Sequence, residues 1–114
     1  MEKVAIFVDW ENIRKSIFHE AYKVLRKKID YNNIDNPLKF FHSFIDPSAE
    51  EIYRIYVYLA EPYGGIIGGV DYKSTPVYIL GMQFIQNIQV REHIAVRKGK
   101  LVFRGFDQKN KPLF

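Results

Sequence analysis

The chain has 114 residues, enough for one small domain, and its 47% apolar content argues against disorder. It has no cysteine, which excludes a disulfide framework or a thiolate zinc site and fits a reducing cytoplasm. A formal net charge of +4 and a pI near 9.3 permit a polyanionic partner, although a solvated basic surface produces the same balance.

Val4-Ala5-Ile6-Phe7-Val8 is an unbroken apolar run that ends in Asp9. Such a run reads as a strand buried on both faces. Met1-Glu2-Lys3 leads straight into it and leaves no room for a signal peptide. No apolar run approaches bilayer length, so a membrane partner is not expected. In open α/β sheets the functional crevice lies beyond the carboxyl ends of the strands. Asp9 falls there, with Glu11 and Asn12 just behind it. Oxygen ligands at such a place favour a hard cation such as Mg²⁺. Asp is equally a good helix N-cap, and Asn12 can share that work. The local pattern leaves both roles open.

The spacing then predicts a helix from about Glu11 to Lys28, with Ile13, Ile17, Ala21, Val24 and Leu25 on one stripe. Arg26, Lys27 and Lys28 crowd its last turn, where cations complement the helix dipole. Arg14 and Lys15 lie one turn from Asp9 and are the better candidates for phosphate contact. Turn chemistry over residues 29–33 precedes a short helix, Asn36 to Ile45, with Pro37 in its first turn and Asp46-Pro47-Ser48 as its stop. His42, without a second ligand at suitable spacing, reads as a surface or packed residue.

Ile52 to Leu59 is the second strand, and its Tyr53, Tyr56 and Tyr58 read as sheet packing rather than base stacking. Glu61 to Ser74 is a long glycine-rich loop on the same rim as Asp9, without the spacing of a P-loop. Glu61 and Asp71 are secondary candidates there for a rim metal. Thr75-Pro76 opens a helix whose stripe is Val77, Leu80, Gly81, Phe84 and Ile88. Val90 to Arg97 and Lys100 to Arg104 read as two strands about Lys98-Gly99, a C-terminal β-hairpin. This end carries Arg91, Arg97, Lys98, Lys100, Arg104, Lys109 and Lys111. It is either a guide for RNA, with Arg14, Lys15, Arg97, Lys98 and Lys100 as phosphate contacts, or a charged edge that blocks aggregation.

Ile6-Phe7-Val8-Asp9-Trp10-Glu11-Asn12-Ile13 resembles the opening motif of the NYN domain family, PIN-like relatives of the LabA-type proteins. That motif is a hydrophobic strand, an Asp, two variable residues and an Asn; Asp9 and Asn12 match it. The resemblance implies a three-layer α/β/α PIN-like (Rossmann-like) parallel sheet spanning residues 1–114. It also implies a ribonuclease dependent on Mg²⁺ or Mn²⁺ that cleaves single-stranded or structured RNA. Asp9 and Asn12 would then be catalytic, and Asp9 and Glu11 metal ligands. The family's later Lys-Gly-x-Asp and Ser-Gly-Asp-x-Asp elements have no counterpart, since Lys98-Gly99-Lys100-Leu101 lacks the Asp. The expectation is therefore the N-terminal portion of such a domain: an incomplete sheet with a hairpin, completed by a missing C-terminal segment or paired as a homodimer. The alternative is a non-catalytic RNA-binding or protein-interaction module.

Overall fold

The structure, a computed structural model, describes residues 1–16 and 33–114. In chain order it contains β1 (Glu2–Asp9), α1 (residues 10–16), α2 (Asp35–His42), β2 (Glu50–Glu61), β3 (Ile66–Ile67), β4 (Val70–Asp71), α3 (Pro76–Gln89) and β5 (Ile94–Lys100). The rest of the expected Glu11–Lys28 helix, and most of the turn after it, lie outside the described residues.

Three strands form a parallel sheet in the order β1-β2-β5. The chain therefore crosses from β1 to β2 and again from β2 to β5 in the same direction. Right-handed crossovers that advance the same way put their connecting helices on the same face of a sheet. The core agrees. Phe41 of α2 and Phe84, Ile85 and Ile88 of α3 join one cluster with Val8, Ile55, Val57, Leu59 and Ile94. Among the described residues no helix packs on the opposite face, so the architecture there is a two-layer α/β arrangement with an open sheet face.

This topology corrects the reading of β1. Val8 is buried and Val4 and Ile6 are half-buried, but Phe7 is 67% exposed. An all-apolar run signals cover on both faces only if both are covered, and among the described residues one is not. The outer edge of β1 likewise has no strand beside it among the described residues.

The C-terminal hairpin is also corrected. β5 runs unbroken through Lys98 and Gly99, which pair in register with Leu59 and Ala60 of β2. A two-residue hairpin turn needs positive φ, and Gly99 does not have it, whereas Gly105 does at 94°. Pairing with the long central strand outcompetes a local turn, because it satisfies the backbone of both residues in a ladder. The chain turns back later, where Asp107 Oδ1 accepts from the Lys109 and Lys111 N–H groups and Phe106 bridges Pro112.

The glycine-rich segment carries structure of its own. β3 and β4 pair antiparallel around Gly68 and Gly69, whose φ values of 57° and 80° suit a two-residue hairpin turn. A 3₁₀ turn, Tyr72–Ser74, follows. As expected, Thr75 caps α3: its Oγ1 accepts from the Tyr78 N–H at 3.3 Å, with Pro76 as the first helical residue. The buried stripe is shifted from the expected one, with Ile85 joining Phe84 and Ile88 while Val77 and Leu80 stay exposed. The first turns of α3 lie against the loop after β2 instead. A Cβ on Gly81 would come within 2.6 Å of Pro62 Cγ, so glycine permits that approach.

Helix α2 ends at His42, before the expected Ile45, and the N–H of Ser43 closes it onto the carbonyls of Lys39, Phe40 and Phe41. Asp46 then takes the O–H and N–H of Ser48, and those two bonds hold its carboxyl below the usual range.

Candidate functional site

Trp10 fixes the start of α1. It is 2% exposed, stacks on Phe84 at 5.0 Å between centroids and meets Phe41 edge-on at 5.9 Å. Its neighbours in sequence, Asp9 and Glu11, flank this anchor and lie at the carboxyl end of the sheet. β2 and β5 continue past the end of β1, so Leu59 to Glu61 and Lys98 to Lys100 form a ledge beside the first turn of α1.

Asp9, Tyr58 and Arg97 occupy one row across the three strands. With Glu11, Leu59, Ala60, Lys98 and Gly99 they line a cleft of about 380 Å³. Four of the residues singled out from sequence, Asp9, Glu11, Arg97 and Lys98, thus converge. Asn12 is joined to Asp9: its side-chain Nδ2 donates to Oδ2 at 2.7 Å and its backbone N–H to Oδ1 at 3.4 Å. This is the bonding of an N-cap, so the capping role left open by sequence is present. Glu11 accepts from Arg14 at 2.8 Å. Lys15 and Lys100 are exposed and line neither this cleft nor its neighbour.

The secondary acids separate. Glu61 lies 3.7 Å from Lys98 Nζ at the end of β2. Asp71 takes the Lys73 N–H and serves as the cap of the 3₁₀ turn, away from the cleft. His42 is exposed at the end of α2. Arg91, on the basic end, pairs with Asp35 rather than facing the rim.

Among the described residues no group of three His, Asp or Glu side chains is placed to hold an ion. Asp9 and Glu11 are the two acids of the cleft. Mg²⁺ is often held by one or two carboxylates with waters and substrate phosphates completing its shell. A carboxylate offers about four lone-pair positions, so the two bonds from Asn12 do not exhaust Asp9. Asp9 and Glu11, the latter paired with Arg14, are therefore the residues of the cleft that could contribute to such a shell.

A second cavity, about 500 Å³ and mostly apolar, adjoins the first through Glu11, Leu59 and Ala60. Tyr63, Tyr78, Phe84 and Phe114 contribute its aromatic walls.

Sequence reasoning did not place Tyr58 at the rim, where it lines the cleft. Ile55, Val57 and Leu59 are buried while Tyr56 is half-buried and Tyr58 exposed. That alternation, written in the strand, separates the tyrosines from the core face. No helix of the described residues is long and apolar enough to cross a membrane. No protein-family model, curated protein or solved structure matches the chain.

Proposed function

We propose that this chain is an RNA-handling domain of the NYN, PIN-like kind, in which the cleft at the sheet's carboxyl rim receives the RNA backbone. The observation that carries the reading is the convergence of Asp9, Glu11, Arg97 and Lys98 on that cleft. Arg97 and Lys98 supply charge for phosphates, and Asp9 and Glu11 form the acidic corner of a metal-dependent ribonuclease site. Mg²⁺ or Mn²⁺ bound there would neutralise phosphate charge and activate water. Asp9 orients the corner by capping α1, and Asn12 holds its carboxylate in place. A PIN-like parallel sheet, of which the described residues form the strands β1-β2-β5 and one helical layer, belongs to the same reading.

Asp9→Asn separates cap from ligand, because Asn caps helices about as well as Asp. Folding should be retained. In the native chain Mn²⁺ should broaden the NMR signals of Asp9 before those of Asp35, Asp46 or Asp71, and RNA should sharpen that preference. In the variant the selectivity should vanish, together with any RNA cleavage. Equal broadening of all four acids in the native chain would leave Asp9 with only its cap.

The outer edge of β1, beside which no strand of the described residues lies, supports the expected homodimer, or completion by a further segment, since unpaired strand edges recruit other strands. Sedimentation equilibrium at roughly tens of micromolar, where exposed edges associate, should show a dimer. A monomer at that concentration rejects pairing between copies.

A further inference from the structure

The sheet face on which no helix of the described residues packs is not a plain polar surface. Phe7 is 67% exposed, Tyr53 53% and Tyr58 44%. Phe7 stacks on Tyr56 at 5.1 Å with planes 13° apart, and lies 6.4 Å from Tyr58 at 23°. Two guanidinium groups lie over this surface: Arg97 over the Tyr56 ring at 5.5 Å, and Arg54 over Tyr53 at 5.7 Å. A bulge makes the second pair possible. Val4 pairs with Ile52 but Ala5 with Arg54, so Tyr53 is the extra residue, and it and Arg54 are both exposed.

We propose that this face is a stacking platform for the bases of single-stranded RNA whose backbone enters the rim cleft. The proposal rests on the RNA reading of that cleft and extends it. Three arguments converge. Exposed aromatic rings on a sheet stack bases whatever their identity. A guanidinium lying over a ring keeps its in-plane N–H donors available for phosphate, so Arg54 and Arg97 provide charge complementarity that a neutral protein partner would not use. Finally, Tyr58 and Arg97 belong both to this face and to the rim cleft, so one strand of RNA can occupy the two surfaces continuously. A duplex cannot, because its bases are already stacked within the helix.

Phe7 is the residue to test, since it belongs to the platform but not to either cavity. Binding of a short labelled oligouridine to the full chain would be followed by fluorescence anisotropy, with a duplex of equal length for comparison. Phe7→Ala should weaken oligouridine binding by about 5- to 100-fold and leave the weaker duplex binding unchanged, while Phe7→Trp, which keeps a ring, should restore it. Native Phe7 and Tyr58 ring protons should shift upfield on adding oligouridine. If Phe7→Ala binds oligouridine like the native chain, the platform is rejected while the rim reading stands. If the native chain binds neither RNA at low salt, both fall. If Phe7→Ala dissociates a dimer and oligouridine leaves the native Phe7 and Tyr58 ring signals unmoved, the face belongs to a second copy and the proposal is overturned.

Discussion

Trp10→Ala should destabilise the protein by about 3–5 kcal/mol, the range for truncating a large buried aromatic residue. The side chain is almost wholly buried and touches helices on two sides, through Phe84 of α3 and Phe41 of α2. Its loss leaves a cavity where α1 meets the core, and the ring contacts add to the area lost. A domain of this size holds only about 5–15 kcal/mol in total, so the variant should be partly unfolded or melt far below the native chain. The consequence reaches the rim, because Trp10 sets the position of Asp9 and Glu11. Urea unfolding followed by circular dichroism measures the change. A loss below about 0.5 kcal/mol, typical of a surface substitution, would show that Trp10 does not anchor α1.

The second large effect concerns charge. Arg97→Glu combined with Lys98→Glu should weaken RNA binding by at least about tenfold, since two cations of the cleft become anions beside expected phosphates. The slope of log affinity against log salt should flatten by about 1.4, about 0.7 for each phosphate contact removed from a single strand. Stability should change little. Both side chains are exposed, and the 3.7 Å pair that Lys98 makes with Glu61 lies at the surface, where such contacts contribute little. Salt titrations with unchanged slope would place the phosphates elsewhere on the molecule. Comparison with Phe7→Ala separates the two RNA surfaces, because Arg97 belongs to both and Phe7 to the platform alone. The double variant should reduce duplex and single-strand binding alike, whereas Phe7→Ala should act on single strands alone.

The sequence by itself determined the local elements that have local causes. β1 and β2 are apolar, β-branched runs bounded by polar residues, and pairing with any neighbour preserves them as strands. Thr75-Pro76 starts α3 because a side-chain cap and a fixed φ act within one turn. Asp9 at a strand end, followed at once by a helix, was legible for the same reason. Tertiary structure decided what depends on which surface meets which. Val4 to Val8 cannot state from its own composition whether one face or two will be covered; the order β1-β2-β5, with both crossovers advancing the same way, leaves Phe7 in solvent. Lys98-Gly99 has the composition of a turn, yet the ladder to Leu59 and Ala60 holds it extended, because a strand beside a long central neighbour satisfies more backbone than a local turn. The cleft itself is non-local: Asp9, Tyr58 and Arg97 are far apart in the chain and meet only through the register of three parallel strands.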